Sequence, residues 1–181
     1  MNRDSYKLYS KILSDYRLTP SSKLVATYIY NSNIEIEIDN IATAMNLSID
    51  SVKRGLKLLK ETNYIFENNK VKLDLHYSQH IKLDVQFLLM DTKSTNAKFL
   101  FALILSYYLN INEFKLGNKA VADSLGIKLK SYYSKKEKMN KLNTRGIKNI
   151  IKILKNLDLI DVENVPDSFE RFIKIKKLPN V

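Results

Sequence analysis

Two windows of this chain are continuously apolar and bulky. Lys23-Leu-Val-Ala-Thr-Tyr-Ile-Tyr30 and Lys98-Phe-Leu-Phe-Ala-Leu-Ile-Leu105 each predict a core helix. Two further windows are amphipathic. In one, Val52, Leu56 and Leu59 share a helical face, with Asp50, Lys53, Arg54, Lys57 and Lys60 opposite. In the other, Ile147, Ile150, Ile151 and Leu154 oppose Arg145, Lys148, Asn149, Lys152 and Lys155.

Shorter patterns fill the intervals. Leu8, Ile12 and Leu13 with flanking tyrosines predict a helix over residues 4–17, and Thr19-Pro20 supplies an N-cap and a first-turn proline for the core helix that follows. Ile34-Glu-Ile-Glu-Ile38 alternates as a half-buried strand does, and Asp39 then suits an N-cap. Ser48 is placed to cap the first amphipathic helix. Tyr64–Phe66 and Lys70–Leu75 read as a strand pair, Lys82–Met90 as a strand, and Phe114–Leu116 as another short one. Leu159–Val162 and Phe169–Leu178 form a hairpin around Pro166-Asp167-Ser168.

These elements occur in two matching sets. Beyond the two core helices, Ile41-Ala-Thr-Ala-Met-Asn-Leu47 matches Val121-Ala-Asp-Ser-Leu-Gly-Ile127, placing Asn46 and Gly126, both tolerant of positive φ, at the same turn. Val52-Lys-Arg-Gly-Leu-Lys-Leu-Leu-Lys60 matches Ile147-Lys-Asn-Ile-Ile-Lys-Ile-Leu-Lys155, so three lysines coincide. The offsets of the three blocks are 75, 80 and 95 residues, which leaves 15 extra residues before the second basic helix. Helix, short strand, helix, turn, helix and hairpin describe a winged helix. The expected fold is mainly α with small β-hairpins, an α+β chain of two tandem winged helix-turn-helix lobes: residues 1–80, and residues 81–181 with a basic insert at 128–143.

Composition narrows the partner. The 181 residues carry a formal charge of +11, and between Lys128 and Lys155 ten basic residues face one acid, Glu137. A uniform compositional bias would spread that charge, so its concentration favours a polyanion. No apolar run reaches the roughly 18–20 residues of a membrane span. No signal-peptide core follows Met1, and the chain has no cysteine. A cytoplasmic location, no membrane partner and no disulfide are the corresponding expectations.

Duplex DNA admits a helix into its major groove, where side chains near the helix start meet base edges and lysines meet phosphates. The first basic helix thereby nominates Ser48, Asp50, Ser51, Lys53, Arg54 and Lys57. The second nominates Asn143, Thr144, Arg145, Lys148, Asn149 and Lys152. Arg54 and Arg145 suit bidentate contact with guanine. Lys70 beside Asn68 and Asn69, and Arg171 with Lys174, Lys176 and Lys177, lie on the hairpins and suit backbone contact. The insert interleaves Tyr132 and Tyr133 with six lysines, among them Lys135, Lys136 and Lys138, and reads as an arm that orders on DNA. Tyr28, Tyr30, Tyr107 and Tyr108 belong to the core helices.

Catalytic chemistry finds no support. His76 and His80 lack further ligands nearby, and there is no phosphate loop, nucleophile motif or carboxylate cluster. No catalytic residue, metal, cofactor or small-molecule substrate is expected.

With Leu18-Thr-Pro-Ser-Ser-Lys-Leu-Val25, Ile41-Ala-Thr-Ala-Met-Asn-Leu-Ser48 and Val52–Lys60 in place, the chain resembles the tandem winged-helix replication initiators of plasmids and phages of low-GC bacteria. The first lobe is also similar to the helix-turn-helix domains of phage replication organisers. The resemblance implies double-stranded DNA as partner, at repeated sites of an origin, often with one lobe for dimerisation and the other for DNA; palindromic sites and a homodimer are further expectations. A transcriptional repressor or a centromere-binding partition protein would need the same helices. A protein–protein assembly adaptor is the alternative of another class.

Overall fold

The computed structural model describes residues 4–32, 37–66, 68, 71–72, 75, 79–90, 92, 94–108, 114–129, 141–142, 144–164 and 171–176. It is a mixed α/β fold with eight helices and small sheets among these residues. Strand β1 (Ser5–Tyr9) leads through the short helix α1 (Ser10–Leu13) to the long α2 (Pro20–Asn31), α3 (Ile38–Met45) and α4 (Ile49–Glu61). The same order then returns. Strand β2 (His80–Asp84) leads through α5 (Val85–Leu89) to the long α6 (Thr95–Tyr108), α7 (Asn118–Ser124) and α8 (Thr144–Asn156). The second set adds β3 (Phe114–Lys115), β4 (Lys128–Leu129), β5 (Lys141–Leu142), β6 (Ile160–Asn164) and β7 (Arg171–Ile175).

Backbone geometry repeats with the same offsets as the sequence. Thr19 and Ser94 each accept a backbone N–H three residues on, at 3.2 Å, as caps of the two long helices. Asn46 (φ 51°) and Gly126 (φ 58°) both turn left-handed, and the next N–H returns to Ala42 in one case and Ala122 in the other. After the basic helices, Asn63 (φ 63°) and Asp158 (φ 56°) are again both left-handed. Their side chains each accept from a lysine, Lys72 at 3.0 Å and Lys176 at 2.6 Å.

Four expectations are corrected. Residues 4–17 do not form one helix: Tyr6 and Leu8 alternate with the exposed Lys7 in a strand, because β2, 75 positions downstream, supplies the antiparallel partner. The strand expected at Lys82–Met90 ends at Asp84, whose carboxylate accepts the Gln86 N–H at 2.9 Å and caps α5. Ile38 belongs to a helix rather than a strand, since it shares a helical face with the buried Ile41 and Met45; residues 33–36 lie outside the described ones. Asp39 therefore sits in the first turn of α3, and Glu37 holds the cap position.

The second hairpin forms as expected, β6 against β7, with β3 on the far edge of β7. Of the first, the described residues hold an antiparallel bridge between Ile65 and Val71 and a Lys72 N–H donated to the Tyr64 carbonyl at 3.1 Å, while residues 67, 69–70 and 73–74 lie outside the described ones. The ends of the basic insert pair as parallel strands β4 and β5, while residues 130–140 lie outside the described ones.

One apolar cluster runs through both sets. Leu8, Ile12, Val25, Ile41 and Val52 of the first join Leu83, Leu88, Phe99, Val121 and Ile147 of the second, all shut off from solvent. Each such aliphatic side chain contributes about 1.5–3 kcal/mol on burial. Gly55, inside α4, lets α2 come close: a β-carbon there would lie 2.9 Å from Val25 Cγ2. The matching position in α8 is Ile150, whose larger side chain is buried.

Candidate nucleic-acid interface

Helix α4 begins at Ser48, whose hydroxyl accepts the Ser51 N–H at 3.2 Å. That cap fixes where the helix starts, so its apolar stripe of Val52, Leu56 and Leu59 turns inward. Lys53, Arg54 and Lys57 are left exposed on the outer face with Asp50. Helix α8 repeats this arrangement: Ile147, Ile150, Ile151 and Leu154 are buried, while Arg145, Lys148, Asn149, Lys152 and Lys155 are exposed. Its thirteen residues carry four basic side chains and no acid, whereas α4 also carries Asp50 and Glu61. Lysines dominate both outer faces, and four exposed cations within a few turns make a local field that attracts phosphate.

Several nominated side chains already have partners. Ser48 donates its hydroxyl to Ser51 Oγ at 2.9 Å, so both serines serve the cap rather than standing open to bases. Arg54 Nε donates to the Asp50 carbonyl at 3.2 Å, which anchors the guanidinium over the helix start. Arg171 donates to Asn118 Oδ1 at 2.9 Å and lies partly buried between β7 and α7. The exposed Lys174 approaches Glu163 across the hairpin at 3.9 Å. Thr144 opens α8. Lys70, Lys135, Lys136, Lys138 and Asn143 lie outside the described residues. A shallow cleft of about 490 Å³ borders the outer face of α4, between Arg54, Lys57 and Glu61 on one side and Thr19 and Ser21 of the α2 start on the other.

Two lysines behave differently from these. Lys23 is fully buried and donates to the carbonyls of Leu13 and Leu125, each at 2.6 Å. Lys98, its counterpart in α6, donates to the carbonyl of Leu88. Burial pushes the Lys23 ammonium down to about 7, against the opposing pull of the Asp15 carboxylate, and burial also lowers Lys98. The two lysines hold equivalent places in the repeat, and their residue type by itself marks neither as buried. The signal was present in their position, a single cation opening each apolar window.

Among the described residues no cluster of three or more His, Cys, Asp or Glu side chains could hold a metal, and His80 instead packs against the ring of Tyr9. Among the same residues no helix is long and apolar enough to cross a membrane. No protein-family model, curated protein or solved structure matches the chain.

Proposed function

We propose that the chain is a non-enzymatic double-stranded DNA-binding protein made of two tandem winged helix-turn-helix lobes, with α4 and α8 as its groove-reading helices. One observation carries this reading: two amphipathic helices, at matching places, each bury an apolar stripe and leave a lysine-rich face exposed. Lys53, Lys57, Lys148 and Lys152 neutralise phosphates, while Arg54, Arg145 and Asn149 face base edges. Within that class the narrower proposal is an origin-binding replication initiator of a plasmid, phage or other mobile element.

Salt dependence tests the class. A reader that contacts several phosphates loses affinity steeply as salt rises, with a log–log slope of about −0.9 per phosphate released. An adaptor whose charge is incidental would leave labelled duplex unbound at moderate salt, and that result would reject the DNA reading.

A further inference from the structure

Strands β1 and β2 are equivalent in the repeat, and they pair with each other. Their register sets Ser5 opposite Asp84, Lys7 opposite Lys82 and Tyr9 opposite His80. At the 75-residue offset Lys82 is the counterpart of Lys7 itself, so equivalent residues face each other at the centre of the ladder and the flanking pairs exchange on either side. Copies related by translation run parallel, so an antiparallel pair centred on equivalent residues requires a two-fold rotation.

Contacts beyond the ladder obey the same rotation. Ser10 N donates to Gln79 O at 2.8 Å, and its mate, Val85 N to Asp4 O, measures 3.0 Å. At the turns before the basic helices, Asn46 Nδ2 reaches the carbonyl of Leu88 at the end of α5. Its counterpart Gly126 lies so close to Ser14, at the end of α1, that a β-carbon would fall 2.5 Å from the Ser14 carbonyl. Each turn thus docks on the short helix of the other copy.

We infer that the single chain is an internal two-fold dimer that presents α4 and α8 to the two halves of one DNA site in inverted, not direct, orientation. This rests on the DNA-binding reading above and adds the geometry of the target. The two helices differ in sequence, so the half-sites are unlike in bases while opposed in direction, and one chain suffices to fill the site. Two-fold readers space their half-sites by about one helical turn, roughly 10 bp, or a multiple of it.

The absence of cysteine makes the orientation measurable. Equivalent exposed positions, Thr43 with Asp123 and Glu61 with Asn156, are changed singly to cysteine in the full chain and carry an iron–EDTA cleavage probe. The duplex is one selected by the unmodified chain from a random pool. Inverted orientation makes the midpoints of the two cut centres coincide at one base pair for both residue pairs, while their separations differ. Sedimentation should show one chain per duplex. Equal separations with shifted midpoints, cutting from one copy alone, diffuse cutting, two chains per site, or one chain joining two duplexes would each overturn the inference while leaving DNA binding in place. Failure to retain any duplex at moderate salt would instead overturn the DNA reading.

Discussion

The ammonium of Lys23 lies 2.6 Å from the carbonyl of Leu125, a residue 102 positions away in the other copy of the repeat. Together with the bond to Leu13 it joins the end of α1, the start of α2 and the turn after α7 at one buried point. Its titration has a defined sign. Burial lowers the folded-state value to about 7, whereas the unfolded chain keeps an ordinary lysine value near 10.5. Between those limits the unfolded state binds more protons, so stability rises with pH, by at most about 1.4 kcal/mol per unit for one proton. Lys98 adds a change of the same sign. Urea unfolding at pH 7, 8 and 9 should show this rise, and Lys23→Met should flatten it. Parallel pH profiles in the two proteins would assign the ordinary lysine value to Lys23.

Gly126 and Gly117 should respond in opposite ways to alanine. At Gly126 the backbone is left-handed and the new carbon would meet Ser14 at 2.5 Å and Lys23 Nζ at 2.7 Å. Gly126→Ala should cost several kcal/mol, through strain and loss of the docking contact. Gly117, at φ −84°, has nothing within 4 Å of that position. There the loss of a favourable cap residue and the reduced entropy of the unfolded chain offset each other, so Gly117→Ala should stay within about 0.5 kcal/mol of the parent. Denaturation midpoints compare the two directly.

Lys7 and Lys82 place like charges opposite each other on exposed strand positions. Lys82→Glu should therefore stabilise the ladder by about 0.2–1 kcal/mol. Combining it with Lys7→Glu restores a like-charged pair and should cancel the gain. Thermal midpoints of the three proteins, compared at low and high salt, separate this pairing effect from a general change in net charge.

On the outer faces, alanine at Lys53 and Lys57, or at Lys148 and Lys152, should weaken duplex binding and make the salt dependence shallower by about 0.9 per lost phosphate contact. Alanine at Arg145 should instead change which base is preferred, an effect of about 1–3 kcal/mol at one position. If either lysine pair leaves affinity and slope unchanged, that helix does not touch DNA.

Much of the helical framework was legible from local pattern. The stripe of Ile147, Ile150, Ile151 and Leu154 has one helical reading, and Asn46 and Gly126 announce their turns by residue type. What escaped was non-local. Residues 5–9 carry too few alternating positions to outweigh the helical spacing of Leu8 and Ile12, and their strand form depends on a partner far along the chain. Lysines and apolar runs mark the repeat in the sequence but not its symmetry, because a sequence offset says that two segments are alike and not how they are turned. The fate of Ser48 and Arg171 also depended on neighbours, a cap in one case and Asn118 in the other.

The β1–β2 ladder has a consequence for how the molecule can vary. A pair of separate subunits assembles by mass action and dissociates on dilution, and any substitution enters both partners at once. Here the partners are tethered in one chain, so their association is independent of protein concentration and every position is encoded once. Gly55 in one helix and Ile150 in its mate, or the extra residues ahead of α8, are changes that one copy accepted without the other. The ladder holds the two frames together while leaving each outer face free to acquire its own preference.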